Sequence, residues 1–308
     1  MAISNVTAIR ISGRRLRRAA RGYVPFALLL LAGITALIGG YWAGRGGRKN
    51  ARGDLLEVTV VNVQEGESSF IKTPDGKFIV IGAGPPGQGV HVAAEMLAAG
   101  ATKIDLLCLP YPYAEAIGGV PELMDALPVS QVIEPGGPVL NRWDGAVRAA
   151  FATRKIPVHD VVAGSQFNFG GVLLTVIAPG SSRVIAAPAA ANNSLVLRLR
   201  WRDVAFLWAG GIDRAGEAAM LGRTPSIASN WLRVARFGTA GATSAEFLRV
   251  VSPDTAVISV GPNQSGCPDP GTLARLAASG AVLYRTDEAG ASLRFSTDGA
   301  HLVNPPIN

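Results

Sequence analysis

The sequence predicts a single α/β body with layered sheets, preceded by one apolar membrane-spanning segment. Three observations carry this reading. Strand pairs with turn signals stand at both ends of the body, helix-period segments alternate with short apolar strands between them, and the stretch from Gly22 to Gly44 holds no charged residue.

The apolar stretch comes first in the chain. A helix rises about 1.5 Å per residue and a bilayer core is about 30 Å thick, so roughly 20 apolar residues suffice to span it. Tyr23, Tyr41 and Trp42 stand at its ends, where amphipathic rings favour the interface. Small residues in a cleavage-type arrangement do not follow the run, which favours an uncleaved anchor over a signal peptide. Six basic residues precede the span and four follow it, a bias toward a cytoplasmic N-terminus and an extracytoplasmic body at the inner (plasma) membrane. The organisation expected is a basic tail over 1–21, an anchor over 22–44, a linker over 45–55 and a domain over 56–308.

Within the domain, residues 57–63 and 69–73 read as strands, and Pro74-Asp75-Gly76 as a turn in which Pro sets φ and Gly accepts a positive one. Residues 77–81 return as a strand. The period then changes, giving a helix over 91–99, a buried strand over 104–109 and a helix over 121–127 with Pro in its first turn. A strand over 129–133, a helix over 144–153 and a strand over 172–177 follow. Residues 195–201 and 204–208 flank Arg202-Asp203 as a hairpin. Helices over 213–221, 244–251 and 271–278 alternate with strands over 231–235, 256–260 and 281–284, and a last hairpin turns at Asp298-Gly299.

Composition excludes several classes. With 48% hydrophobic and 17% charged residues the chain is not disordered, and two cysteines exclude a disulfide-rich scaffold. Buried thiols are favoured over a Cys108–Cys267 disulfide. The net charge of +7 is concentrated in residues 1–53, which hold ten basic side chains and no acidic one; the remainder is net −3 and carries no signature of a DNA-binding face. His91, His159 and His301 are isolated from one another, so a histidine-rich metal enzyme is disfavoured. Gly82-Ala-Gly-Pro-Pro-Gly87 fails as a phosphate loop because the two prolines remove backbone donors, and Gly-x-Ser-x-Gly does not occur.

A series of local sequences, in order, carries a resemblance. Residues 60–84 parallel a D-V-G-Q-G-D strand, a P-D-G turn and an L-I-D-x-G strand end; 109–119 stand where H-x-H-x-D-H-x-G-G is usual. Residues 192–199 match an N-N-S-L element, 207–212 an L-x-x-G-D element, 233–239 a K-V-x-H-H-G-S element and 266–268 a G-H-P element. Over roughly 56–296 the chain thus resembles the metallo-β-lactamase-fold domain of ComEC-like competence proteins. The resemblance implies a four-layer αββα sandwich with two zinc or manganese ions at its edge.

The metal-ligand motifs read as degenerate. The two first histidine positions are Tyr111 and Tyr113, the Asp is Glu115 and the third His is Ala116. The bridging Asp is Gly211, the His-His pair is Arg236-Phe237, the His of G-H-P is Cys267, and the outer-lying Asp of L-I-D-x-G is Gly82. A tyrosine with a reference pKa of about 10 must lose a proton before it ligates well, and Arg236 opposes a cation. The binuclear zinc or manganese centre is therefore expected to be lost, with no cofactor in its place.

The substituted positions are expected to converge. Two outcomes follow: a remodelled cleft in which Tyr111, Tyr113, Glu115, Asn192, Asn193 and Arg236 meet a ligand, or a filled-in site closed by an Arg236–Glu115 ion pair and aromatic bulk. Asp213 and Glu217 read as helix-start acids rather than a catalytic pair, and Asp287 as a turn residue. The function expected is a membrane-anchored, non-catalytic binding or scaffolding module linked to DNA uptake, with DNA, a nucleotide or a competence-type protein as partner. The alternative is a phosphodiesterase-like hydrolase with a remodelled or single-metal site using Glu115, Cys267 and a tyrosinate.

Overall fold

The computed structural model describes residues 54–306 except 139–140 and 224–225. The basic tail, the 22–44 span and most of the linker lie outside the described residues. Among the described residues no helix is long and apolar enough to cross a membrane.

Two sheets form the body. The first contains β1 (Leu56–Val60), β2 (Ser69–Lys72), β3 (Phe78–Ile81), β4 (Leu106–Cys108), β5 (Val132–Glu134) and β6 (Val158–Asp160), in the order β15-β14-β1-β2-β3-β4-β5-β6 once β14 (Leu293–Thr297) and β15 (Leu302–Val303) are added. The second runs β13-β12-β11-β10-β9-β8-β7, made of β7 (Gln166–Phe169), β8 (Val172–Ala178), β9 (Val196–Trp201), β10 (Val204–Trp208), β11 (Trp231–Arg233), β12 (Thr255–Ile258) and β13 (Val282–Arg285). Helices α1 (Gly89–Ala98), α2 (Ala114–Ile117), α3 (Val120–Ala126), α4 (Arg142–Arg154), α5 (Ala189–Asn192), α6 (Arg214–Leu221), α7 (Ala245–Val251), α8 (Pro270–Ser279) and α9 (Thr286–Ala289) connect them.

Side-chain alternation builds the layers. In β3, Ile79 and Ile81 join Leu56, Val58 and Phe295 against Leu199, Phe206, Trp208 and Trp231 of the second sheet, while Phe78 and Val80 face Val92, Met96, Leu123 and Phe151 of the helices. A strand covered on both faces reads as the continuous apolar run Phe-Ile-Val-Ile. On the far side, Leu207, Leu232 and Ala256 pack on Met220, Phe247 and Leu276. The result is helix, sheet, sheet, helix, the four-layer arrangement expected. Trp208 and Trp231 have ring centroids 5.0 Å apart, and Trp231 and Phe295 meet edge-on at 5.5 Å. Such pairs add about 0.5–1.5 kcal/mol each beyond burial.

Several sequence expectations need correction. The strand read over 231–235 stops at Arg233 because Ala235–Gly238 forms a 3₁₀ turn with Arg236 and Phe237 at φ 42° and 59°. The strand over 57–63 ends at Val60. Strands β6 and β7 were not expected. β6 is an exposed edge strand and β7 alternates between exposed and partly buried, so neither presents an apolar run. Cys108 is a free thiol buried in β4 as expected, whereas Cys267, also a free thiol, is partly exposed rather than buried because it lies in a loop at the cleft.

Candidate functional site

Strands β3, β4, β5 and β6 run parallel, as do β10, β11, β12 and β13. Their C-terminal ends release the loops that carry the substituted motif positions. Leu195 N–H donates to Pro110 O at 2.7 Å, so loops of the two sheets share one edge of the sandwich, and within the first sheet Glu67 N–H donates to Glu115 O at 2.9 Å.

Glu115, Arg236, Phe237 and Cys267 line one cleft of about 300 Å³, together with Glu65, Thr239 and Ser265. Arg236 reaches it from a left-handed backbone, as does Phe237 beside it. Two successive non-glycine residues at positive φ are strained by about 1–3 kcal/mol each and persist only where surrounding structure holds them. Here Arg236 N–H donates to Gly210 O at 3.2 Å and Thr239 N–H to Arg236 O at 3.1 Å. Burial pushes the Glu115 carboxyl above its usual value, its own backbone hydrogen bond and Arg236 lower it, and Glu65 adds to the rise. The filled-in site required an Arg236–Glu115 ion pair. Among the described residues Arg236 closes no ion pair with Glu115, although both line the same cleft.

Tyr111 does not join the cleft. It is 1% exposed, and its ring lies where a side chain on Gly211 would go, since a Cβ added there would meet Tyr111 Cδ1 at 3.0 Å. Tyr113 packs against it edge-on at 5.9 Å. Burial drives the Tyr111 phenol well above its usual range; Glu67 and Glu115 add to this, and Arg233 and Arg236 oppose it. Deprotonation to a metal-binding tyrosinate is correspondingly unfavourable. Ala116 is buried in the core, and its carbonyl accepts from Ala83 N–H at 2.8 Å. Gly82 sits at φ 69°, where a Cβ would come within 2.2 Å of Glu67 O.

Asn192 lies under α6, its Oδ1 accepting from Asp213 N–H (2.9 Å) and Gly216 N–H (3.1 Å) and its Nδ2 donating to Ala186 O. Asn193 holds Val184 through both amide atoms and lines a neighbouring pocket rather than the Arg236 cleft. Asp213 caps α6, and buried Glu217 accepts from Ser244 N–H at 3.0 Å, so these acids brace helix starts as expected. Asp287 is ion-paired with Arg285 at 2.6 Å. His91, His159 and His301 are exposed.

The sequence reading missed Glu67 and Arg233. Arg233 is 0% exposed and Glu67 1%, yet Arg233 Nη2 stands 3.2 Å from Glu67 Oε2 and ties β11 of one sheet to the entry of β2 in the other. Arg233 also donates to Val234 O at 2.8 Å and Gly66 O at 3.4 Å. The available signal was a charged residue inside the apolar run Trp231-Leu-Arg-Val234.

The cleft residues do not fit a pair of divalent cations. Such a centre takes about three imidazole or carboxylate donors per ion. The cleft supplies two carboxylates and one thiol facing a guanidinium. Among the described residues no three His, Cys, Asp or Glu side chains converge as a metal requires.

No protein-family model matches the chain. Its structure is similar to the metallo-β-lactamase fold protein YhfI from Bacillus subtilis, with a TM-score of 0.51 at 10% identity over 79% of this chain and 100% of YhfI. The chain has a metallo-β-lactamase fold. CmlA, a diiron β-hydroxylase from Streptomyces venezuelae, is similar to this metallo-β-lactamase-fold chain at the same TM-score of 0.51, with 9% identity over 83% of this chain and 55% of CmlA. In sequence, the chain is 26% identical over 273 residues to ComE operon protein 3 of Bacillus subtilis (strain 168), covering 82% of this chain and 35% of that protein. It thus spans about a third of that relative's length. The likeness to competence proteins drawn from the ordered motifs holds over most of this metallo-β-lactamase-fold chain.

Proposed function

We propose that this chain is a membrane-anchored, metal-independent binding or scaffolding module related to the DNA-uptake machinery, rather than a hydrolase. The observation that carries this reading is the Tyr111 ring packed over Gly211, in the space the resemblance assigns to a bridging carboxylate. The centre is replaced by core rather than left vacant, while the Arg236 cleft beside it stays open. Arg236 offers an unpaired fork for one phosphate or carboxylate. The net −3 of the body and the carboxylates of Glu65 and Glu115 favour a single anionic group, such as a nucleotide or a DNA end, over a long polyanion. The uncharged run over 22–44 supports an anchor, and the basic bias before it favours a body outside the inner membrane.

A remodelled hydrolase is the second reading, supported by the upward shift of Glu115, a base candidate, beside Arg236. Turnover of bis(p-nitrophenyl) phosphate with added Zn²⁺ or Mn²⁺ separates the two. The expected rate equals that of buffer with metal alone; metal-dependent turnover abolished by Glu115→Gln would establish the hydrolase.

A further inference from the structure

Strand β9 alternates between the two faces of the second sheet. Leu197 and Leu199 join the core between the sheets, whereas Val196 packs with Leu207 and Met220 on the face that carries the helices. Arg198 and Arg200 continue the Val196 face by the two-residue period of a strand, Arg198 half-buried and Arg200 exposed. Arg198 lines a groove of about 620 Å³ with Arg223, which follows α6, and with Thr175 of β8. Thr175 is its cross-strand partner, so the two side chains are neighbours on one face. Val162 and Ile177 give the groove an apolar side. It shares no residue with the Arg236 cleft.

Both guanidinium groups are held in place without a carboxylate. Arg198 Nε and Nη2 donate to Ala228 O at 3.1 and 2.8 Å, and Nη1 has no partner among the described residues. The Arg223 guanidinium lies over Gly180, where an added Cβ would overlap its Nη1 and Cζ, so it occupies space that only a glycine leaves. All 22 Asp and Glu residues of the chain are among the described residues, and none pairs with Arg198, Arg200 or Arg223. No acidic residue lines the groove either. Burial, and then the neighbouring Arg200, disfavour the charge on Arg198. A fixed group of like charges with no counter-charge in its own chain is relieved by an anion.

The donors describe that anion. They arrive from β8, from β9 and from the turn after α6, which suits the several oxygens of a phosphoryl group better than the single plane of a carboxylate. Two guanidinium groups match two negative charges, while the net −3 of the body disfavours a long polyanion. We propose that this groove binds a small dianionic phosphate monoester, its phosphoryl group at Arg198, Arg223 and Thr175 and its apolar part against Val162 and Ile177.

Phenyl phosphate, inorganic phosphate and benzoate test the proposal, each titrated by calorimetry at pH 8 into the full chain carrying Arg236→Gln, so that the groove is read without the cleft's own guanidinium. Phenyl phosphate, a dianion at this pH, is expected to bind at least about tenfold more tightly than benzoate, and more tightly than inorganic phosphate, which lacks the apolar part. Arg223→Gln in the same background is expected to weaken it at least about tenfold, the loss of one charge-assisted contact. Arg223 is exposed and closes no ion pair, so this variant keeps its fold. Gly180→Ala is expected to weaken binding as well, because it pushes aside the flexible end of Arg223 without removing its charge. Benzoate binding as tightly as phenyl phosphate, no phenyl phosphate binding, or unchanged affinity in Arg223→Gln would overturn the proposal. So would a thymidine oligonucleotide that displaces phenyl phosphate and binds more tightly through the same arginines, since the surface would then be a nucleic-acid interface.

Discussion

Replacing Arg233 with alanine is expected to destabilise the protein by about 3–5 kcal/mol, the range for stranding one member of a buried ion pair. The guanidinium is Glu67's charge partner, and both groups lie between the two sheets. Their geometry is sparse: both Glu67 oxygens and Arg233 Nε lack a hydrogen-bond partner. Replacing the pair together, Glu67→Leu with Arg233→Met, is therefore expected to recover most of the loss, because it removes two buried charges instead of one. The pH dependence gives the sign. Burial raises the Glu67 carboxyl above its ordinary 4.5, and the Arg233 charge opposes that rise. Without Arg233 the folded pKa climbs further. A carboxyl whose folded pKa lies above its unfolded value contributes stability that is fully present below the unfolded pKa and is lost as pH rises through the folded one. The Arg233→Ala deficit is therefore small near pH 4 and full at pH 7.5. Urea titrations followed by circular dichroism at both pH values check this; an equal deficit at both would show that lost packing, not the stranded charge, dominates.

The second large effect is at Gly82. Gly82→Ala is expected to cost about 2–4 kcal/mol, combining a positive φ that L-residues rarely adopt with overpacking against backbone. The obstacle is the Glu67 carbonyl oxygen, 2.2 Å from the position of the new Cβ, which is fixed backbone rather than a side chain able to swing away. Gly76→Ala is the control: it sits at φ 80° in the turn after β2 with nothing within 4 Å, and loses only the conformational term, about 1 kcal/mol. The difference in thermal midpoint between the two variants isolates the clash. If Gly82→Ala unfolds no earlier than Gly76→Ala, the 66–68 and 82–84 segments are free to move apart. The result also bears on the motif: the Asp that the resemblance places at position 82 does not fit this backbone without displacing Glu67.

The central strands and the longer helices were legible in the sequence because burial on one or both faces writes a period into them, as in Phe78–Ile81 and Val204–Trp208. Edge strands β6 and β7 bury too little to leave such a pattern. Within the site, Glu115, Arg236, Phe237 and Cys267 converge as their motif order implied. Tyr111 does not, because nothing local specifies whether a ring turns outward to a cleft or inward over a glycine 100 residues away; the absence of a side chain at Gly211 decides it. The Glu67–Arg233 pair was hidden for the same reason, since its two members meet only when the sheets stack.

Metal content tests most directly whether the site has been rebuilt without its ions. The full chain, purified without chelator, incubated with excess Zn²⁺ or Mn²⁺ and desalted, is analysed by inductively coupled plasma mass spectrometry. Far less than one ion per chain is expected from a cleft whose donors face Arg236 and whose neighbouring space holds Tyr111. Two tightly held ions per chain, about the complement of a binuclear centre, would contradict it.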